Sequence, residues 1–130
     1  MEDPIFDFLY EPGTPMIGRE ISDEDAKSLA KSKSSFTPYC LVRDWVWIDL
    51  IMPGDVLKEL EKINKKPVML YSHTVIYDSS RRFDVGDWVR TTPLIEFTDG
   101  CLFRTQNSIY VLIGNGVRKE AQLSTMVKIF

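Results

Sequence analysis

The sequence is poor in the residues that build metal centres and disulfide frameworks. Its 130 residues include two cysteines, Cys40 and Cys101, and one histidine, His73. Two cysteines supply neither a disulfide framework nor a four-ligand zinc site, and their spacing to His73 matches no catalytic motif. We therefore expect both thiols to be reduced and structural, and we predict no metal, no cofactor and no catalytic residue.

Long apolar runs are also missing. No stretch approaches the roughly 18 residues that a transmembrane helix needs. The first residues, Met1-Glu2-Asp3-Pro4, are acidic where a secretory leader would be basic. Together with the low cysteine content, these features predict a cytoplasmic protein with no membrane partner.

Charge is distributed unevenly along the chain, whose formal net charge is -3. Residues 1–25 hold eight acidic residues and only Arg19 as a base, a net charge of -7, so the remainder is +4. Prolines at positions 4, 12 and 15 interrupt regular structure in the same segment. The sequence thus predicts an acidic N-terminal arm over residues 1–22 and a single domain over residues 23–130.

Hydrophobic periodicity predicts two helices and a long strand in the first half of the chain. Ser22 is placed to cap a short helix over residues 23–32. Residues 39–52 alternate as in a strand, with the even-numbered side chains facing the core. A second helix over residues 55–66 carries an apolar stripe. Its members are Val56, Leu57, Leu60 and Ile63.

The second half of the chain has the pattern of short strands separated by turns. Asp99-Gly100 is a typical hairpin turn, and Gly114-Asn115-Gly116 is interpreted as another tight turn. The expected fold is therefore α+β: a mostly antiparallel sheet of about five to six strands. One main amphipathic helix, residues 55–66, is expected to pack on one face of this sheet, with a short N-terminal helix at its edge.

The odd-numbered side of the long strand is a candidate protein-binding surface, because Trp, Tyr and Arg dominate interface hot spots. The N-terminal arm or first helix could instead cover this side. The candidate residues are Tyr39, Arg43, Trp45, Trp47 and Asp49.

A second candidate surface would bind an anion or a nucleic acid. Basic residues recur in the β-rich half, and a Gly-Asp turn followed by an apolar-basic strand is similar to the start of an SH3-like barrel. The net negative charge of the chain argues against a dedicated nucleic-acid binder. The candidate residues are Arg81, Arg82, Trp88, Arg90 and Arg104.

The stretch Gly86-Asp87-Trp88-Val89-Arg90, within residues 82–94, together with residues 97–103 and 110–114, resembles a family of small uncharacterised proteobacterial proteins. Some members of that family are prophage-linked, and none has an assigned activity. The resemblance implies a compact α+β domain. It also implies a role in bacterium–phage or bacterium–bacterium conflict, a setting in which small proteins often act as inhibitors or regulators by occluding a partner.

These observations favour a non-catalytic protein-binding module. An SH3-like nucleic-acid-associated module is the first alternative and a small enzyme of unknown class is the second. The expected partner is a protein, and nucleic acid binding and a homodimer both remain open.

Overall fold

The computed structural model of the chain describes Phe8 and residues 11–129. Residues 1–7, 9 and 10 of the expected arm, and Phe130, lie outside the described residues. Within the described part, the chain forms three short helices: α1 (Asp23–Lys33), α2 (Gly54–Lys62) and α3 (Leu123–Ile129). It also forms eight strands: β1 (Thr14–Arg19), β2 (Tyr39–Ile51), β3 (Val68–Asp78), β4 (Val89–Arg90), β5 (Glu96–Thr98), β6 (Leu102–Arg104), β7 (Ile109–Leu112) and β8 (Gly114–Gln122).

These strands form one curled half-barrel sheet, and this architecture shows that the expected fold class was wrong. β2 lies in the centre and pairs antiparallel with β3 along its length. On its other edge it runs parallel to β7 and then to β8, whereas the remaining strand pairs of the sheet are antiparallel. The helix that was expected to pack on the sheet, α2, contains no buried residue.

A short segment between β4 and β5 curls the sheet. The N–H groups of Thr91 and Leu94 donate to the carbonyl groups of Leu70 and Val68 on β3, each at 2.9 Å. The N–H of Ile95 donates to the carbonyl of Arg104 on β6 at 2.8 Å. Because the same segment bonds to β3 and then to β6, it brings the two sides of the sheet together around an apolar interior.

The central strand β2 is buried on both faces, and its side-chain alternation reverses at Asp44. Cys40 and Val42 before Asp44, and Trp45 and Trp47 after it, all belong to the same interior cluster. Asp44 has a φ of 51°, a left-handed conformation that interrupts the regular pleat. The even-numbered Val46, Ile48 and Leu50 are buried as predicted, but they lie in a different cluster from Cys40 and Val42, whose interior the odd-numbered Trp45 and Trp47 enter instead.

The reversal places Trp45 against glycines of β1 and β8. Trp45 is 1% exposed, and its indole Nε1 donates to the carbonyl oxygen of Gly114 at 3.2 Å. A Cβ atom added at Gly116 would overlap the Trp45 ring. The segment Gly114-Asn115-Gly116, which was predicted to be a turn, instead lies at the start of β8, where its glycines admit a large ring.

The outer surface of the sheet is covered in two places. Ala26 and Ala30 of α1 pack on Leu41 and Val111, and Ser22 Oγ accepts from the N–H of Asp25 at 3.1 Å, which confirms the predicted helix and its cap. Further along β2, the cluster of Val46, Ile48 and Leu50 is covered by Met126 and Leu123 of α3 and by Phe8.

With both faces of β2 covered, no sheet surface remains for α2. Its apolar stripe stays accessible, with Val56 38% and Ile63 59% exposed. The helix ends earlier than predicted, at Lys62, because Asn64 adopts a φ of 59°. No helix in the part of the chain that the structure describes is long and apolar enough to span a bilayer.

The close approach of Gly116 to Trp45 generates a stability prediction. Gly116→Ala should lower the free energy of unfolding by about 1–3 kcal/mol, because the added methyl group overpacks the core. Gly54→Ala is the matched control, since nothing lies within 4 Å of a Cβ at that helical position. Urea denaturation measures both variants, and equal stability of the two would contradict the packing described for Trp45.

Candidate functional site

The aromatic side chains proposed from the sequence as a protein-binding face lie in the interior. Tyr39, Trp45 and Trp47 are 6%, 1% and 6% exposed. Trp47 packs edge-on against Phe97 and Phe103, with ring centroids 5.0 and 5.4 Å away. These rings stabilise the core and offer no open surface.

The two charged members of that set form ion pairs at the sheet surface. Arg43 lies 3.6 Å from a carboxylate oxygen of Glu20. Asp49 accepts two hydrogen bonds from the Arg118 guanidinium, at 2.6 and 3.0 Å, and a third from Trp47 Nε1 at 3.2 Å. The structure therefore does not bring the five proposed residues together on one free face.

The basic residues proposed to bind an anion are similarly dispersed. Arg104 faces Glu96 at 3.8 Å and lines a hollow beside Lys33 at the end of α1. Trp88 is 55% exposed and stacks on Tyr71, which belongs to the cluster beneath α3. Arg90 lines a separate hollow next to α3. These positions do not form one continuous basic surface.

Arg82 forms an ion pair with the buried carboxylate of Asp78, although its own side chain is 31% exposed. Its guanidinium donates to both carboxylate oxygens of Asp78, at 3.1 and 2.8 Å, and to Ser108 Oγ at 2.5 Å. Burial opposes ionisation of Asp78, but the hydrogen bonds and charge of Arg82 together outweigh it and lower the pKa of this carboxyl. The pair ties the end of β3 to the residue preceding β7.

The thiols and the imidazole do not form a nucleophilic site. Burial raises the pKa of Cys40 to about 12 and also raises the pKa of Cys101, so both are protonated thiols at neutral pH. Burial lowers the pKa of His73, with Asp44 opposing the effect. No group of three or more metal-ligating side chains occurs among the described residues.

The feature best suited to binding is an apolar groove beside α2, which sequence reasoning missed. The α2 groove is about 350 Å³ in volume and lies between the apolar stripe of α2, β2, the β4–β5 segment and α3. Glu59 is the one charged residue in its lining. The other lining residues are Leu50, Met52, Val56, Leu60, Ile63, Pro93 and Leu123.

The groove continues into a second hollow that shares Leu50, Pro93 and Leu123 with it. This hollow measures about 330 Å³, and its rim includes Val127, which is 70% exposed. The amphipathic pattern of residues 55–66 was the available signal for this site. That pattern shows that one helix face is apolar, but it does not show what covers the face.

Comparison with known protein families matches residues 16–128 to a family described as Domain of unknown function (DUF6957). The chain belongs to this family. The match agrees with the expected resemblance to an uncharacterised family and extends it to β1, α1 and α3. No curated protein and no solved structure is detectably similar. The family description assigns no activity, so no residue role is transferred from it.

The ion pair of Asp78 and Arg82 predicts a pH-dependent stability. Asp78→Asn should lower the free energy of unfolding at neutral pH by about 2–3 kcal/mol, because it weakens charge-assisted hydrogen bonds to a buried carboxylate. The folded pKa lies below the unfolded value of 3.8, so the contribution is complete above that value and is lost as the pH falls through the folded pKa.

Urea denaturation at neutral and acidic pH measures this difference, with Arg81→Gln as the control. The control should stay within about 0.5 kcal/mol of the wild type. The assignment of this stabilisation to the ionised Asp78 would be contradicted if the wild type and Asp78→Asn differed by the same free energy of unfolding at every pH.

The raised thiol pKa values predict slow alkylation. Iodoacetamide at about pH 8 should leave Cys40 and Cys101 unmodified in the native protein, because neither thiol forms an accessible thiolate. Mass spectrometry after denaturation should show both residues modified. Rapid labelling of either cysteine in the folded chain would indicate a reactive thiol and overturn the structural interpretation.

Proposed function

We propose that the chain is a non-catalytic protein-binding module whose docking site is the α2 groove. The observation that carries the proposal is the exposed apolar stripe of α2. In contrast, the inner face of α1 and the two faces of β2 are covered by other elements. A short helix with an uncovered apolar face is the arrangement by which proteins bind an amphipathic helix of a partner.

The energetics of α2 support a role in binding. Isolated helices of fewer than about 12 residues are marginal in water and depend on packing of their apolar face. α2 has nine residues and none is buried. Covering the parts of Val56 and Ile63 that remain exposed, 38% and 59% of each residue, would contribute about 0.5–2 kcal/mol for each side chain. A partner therefore both gains affinity from this face and stabilises the helix.

In this proposal, the partner contributes an amphipathic helix whose apolar side chains enter the groove between α2 and α3. The chain acts by occupying the partner's surface, a mode of action in keeping with its resemblance to a partly prophage-linked family. We also propose a cytoplasmic location, because both cysteines are buried free thiols. The affinity comes from hydrophobic burial, so it should depend weakly on salt.

Site-specific photo-crosslinking in the cells that produce the protein tests this proposal. A benzophenone amino acid at position 63, where the residue is 59% exposed, should give a covalent adduct with a partner polypeptide, whose mass identifies the partner. The same group at Glu61, on the opposite side of α2, should give no such adduct. Adding Val56→Glu to the position-63 variant should abolish the adduct, because a charge in the groove opposes apolar burial.

Position 36 is used as a second crosslinking site, because Phe36 is 95% exposed on the loop between α1 and β2. Adducts formed from position 36 but not from position 63 would place the binding surface elsewhere and overturn the proposal. Equal adducts from positions 61 and 63 would also overturn it. Circular dichroism of each variant verifies that the fold is retained.

A further inference from the structure

The charges on one flank of α2 begin with an acidic group, end with a basic group and have one of each between them. Asp55, Glu59 and Lys62 are separated by four and three residues, and Lys58 lies three residues after Asp55 and four before Lys62. All four therefore lie on the same side of the helix, and an antiparallel pair matches Asp55 with Lys62 and Lys58 with Glu59. Lys62 Nζ lies 3.0 Å from Glu59 Oε1, and both side chains are exposed. Glu59 also lines the α2 groove, which places this flank at the entrance of the groove.

This flank is complementary to itself when two helices run antiparallel. In that orientation the N-terminal Asp55 of one helix approaches the C-terminal Lys62 of the other, and the relation repeats by symmetry. In a parallel orientation Asp55 would face Asp55 and Lys62 would face Lys62. The helix dipoles add to the preference, because antiparallel helices place opposite partial charges together.

We propose that the α2 groove binds α2 of a second copy of this chain, antiparallel about a two-fold axis. The proposal rests on the proposed function of the groove as a protein-docking site and names its partner. The contact is isologous: each copy supplies one amphipathic helix and one groove, so both apolar stripes are covered at once. Any other protein that uses the groove must then compete with self-association.

The size of the contact sets its strength. Nine residues of α-helix are about 14 Å long at 1.5 Å per residue. Two such helices and the groove edges make a contact at or below the roughly 1,200 Å² of the smallest stable interfaces. The dimer is therefore weak and reversible, with a dissociation constant on the order of micromolar or above.

A charge-exchange experiment tests both the partner and its orientation. Asp55→Lys and Lys62→Asp each replace two attractive pairs of the symmetric dimer by two repulsive pairs. Each variant alone should associate about tenfold more weakly than the wild type.

An equimolar mixture of the two variants should form a heterodimer, because position 55 of each copy then faces an opposite charge at position 62 of the other. Sedimentation velocity at low ionic strength and energy transfer between labelled copies measure the association.

Glu61→Lys is the matched control, because it makes the same change of charge as Asp55→Lys at a position that is not three or four residues from Asp55, Glu59 or Lys62, and it should leave association unchanged. A mixture that stays monomeric would overturn the proposal. So would a wild type that stays monomeric up to about 1 mM, or a control that weakens association as much as Asp55→Lys.

The association and crosslinking experiments together distinguish a failure of this inference from a failure of the proposed function. If the wild type is monomeric but the crosslinker at position 63 still forms an adduct with a different protein, the second copy is excluded and the groove remains a docking site. If neither association nor the adduct is seen, both proposals fail.

Discussion

The structure depends on the two-sided burial of the central strand β2. Its side chains alternate into two layers, and the left-handed conformation of Asp44 exchanges those layers halfway along the strand. As a result Cys40, Val42, Trp45 and Trp47 all enter one interior. The ring of Trp45 is accommodated only because Gly116 faces it. Each neighbouring element is positioned by contacts with this strand.

The burial of β2 explains why the chain leaves one amphipathic helix uncovered. α1 packs on the first half of the strand, and α3 and Phe8 pack on the second half. The interior is filled by aromatic rings from β2, β5 and β6. α2 follows β2 directly in the chain. It lies at the rim of the sheet, where the faces of β2 are already covered by other elements. Its exposed stripe is therefore a consequence of the fold, and it supplies the surface on which the proposed binding rests.

Local features were predictable from the sequence because they depend on neighbouring residues. Ser22 caps α1 as predicted, and Asp99 and Gly100 both adopt the positive φ angles of a tight turn, 56° and 70°. The reversal at Asp44 was not predictable, because an alternation pattern assumes a regular pleat and aspartate seldom adopts this conformation. The ion pair of Arg82 with Asp78 could not be predicted from the sequence for another reason. A basic residue in a turn has the same sequence signature whether it binds a ligand or its own chain.

The position of α2 shows most clearly where sequence reasoning ends. An amphipathic pattern identifies the apolar face of a helix but does not identify the surface that covers it. The most direct test is methyl NMR of Ile63 with a soluble nitroxide, over a dilution series, with buried Val111 as the internal reference. The account predicts strong broadening of the Ile63 methyl signals in dilute samples and increasing protection as the protein concentration rises. Ile63 methyl groups as protected as those of Val111 at every dilution would show that α2 packs on its own sheet, and would contradict the account.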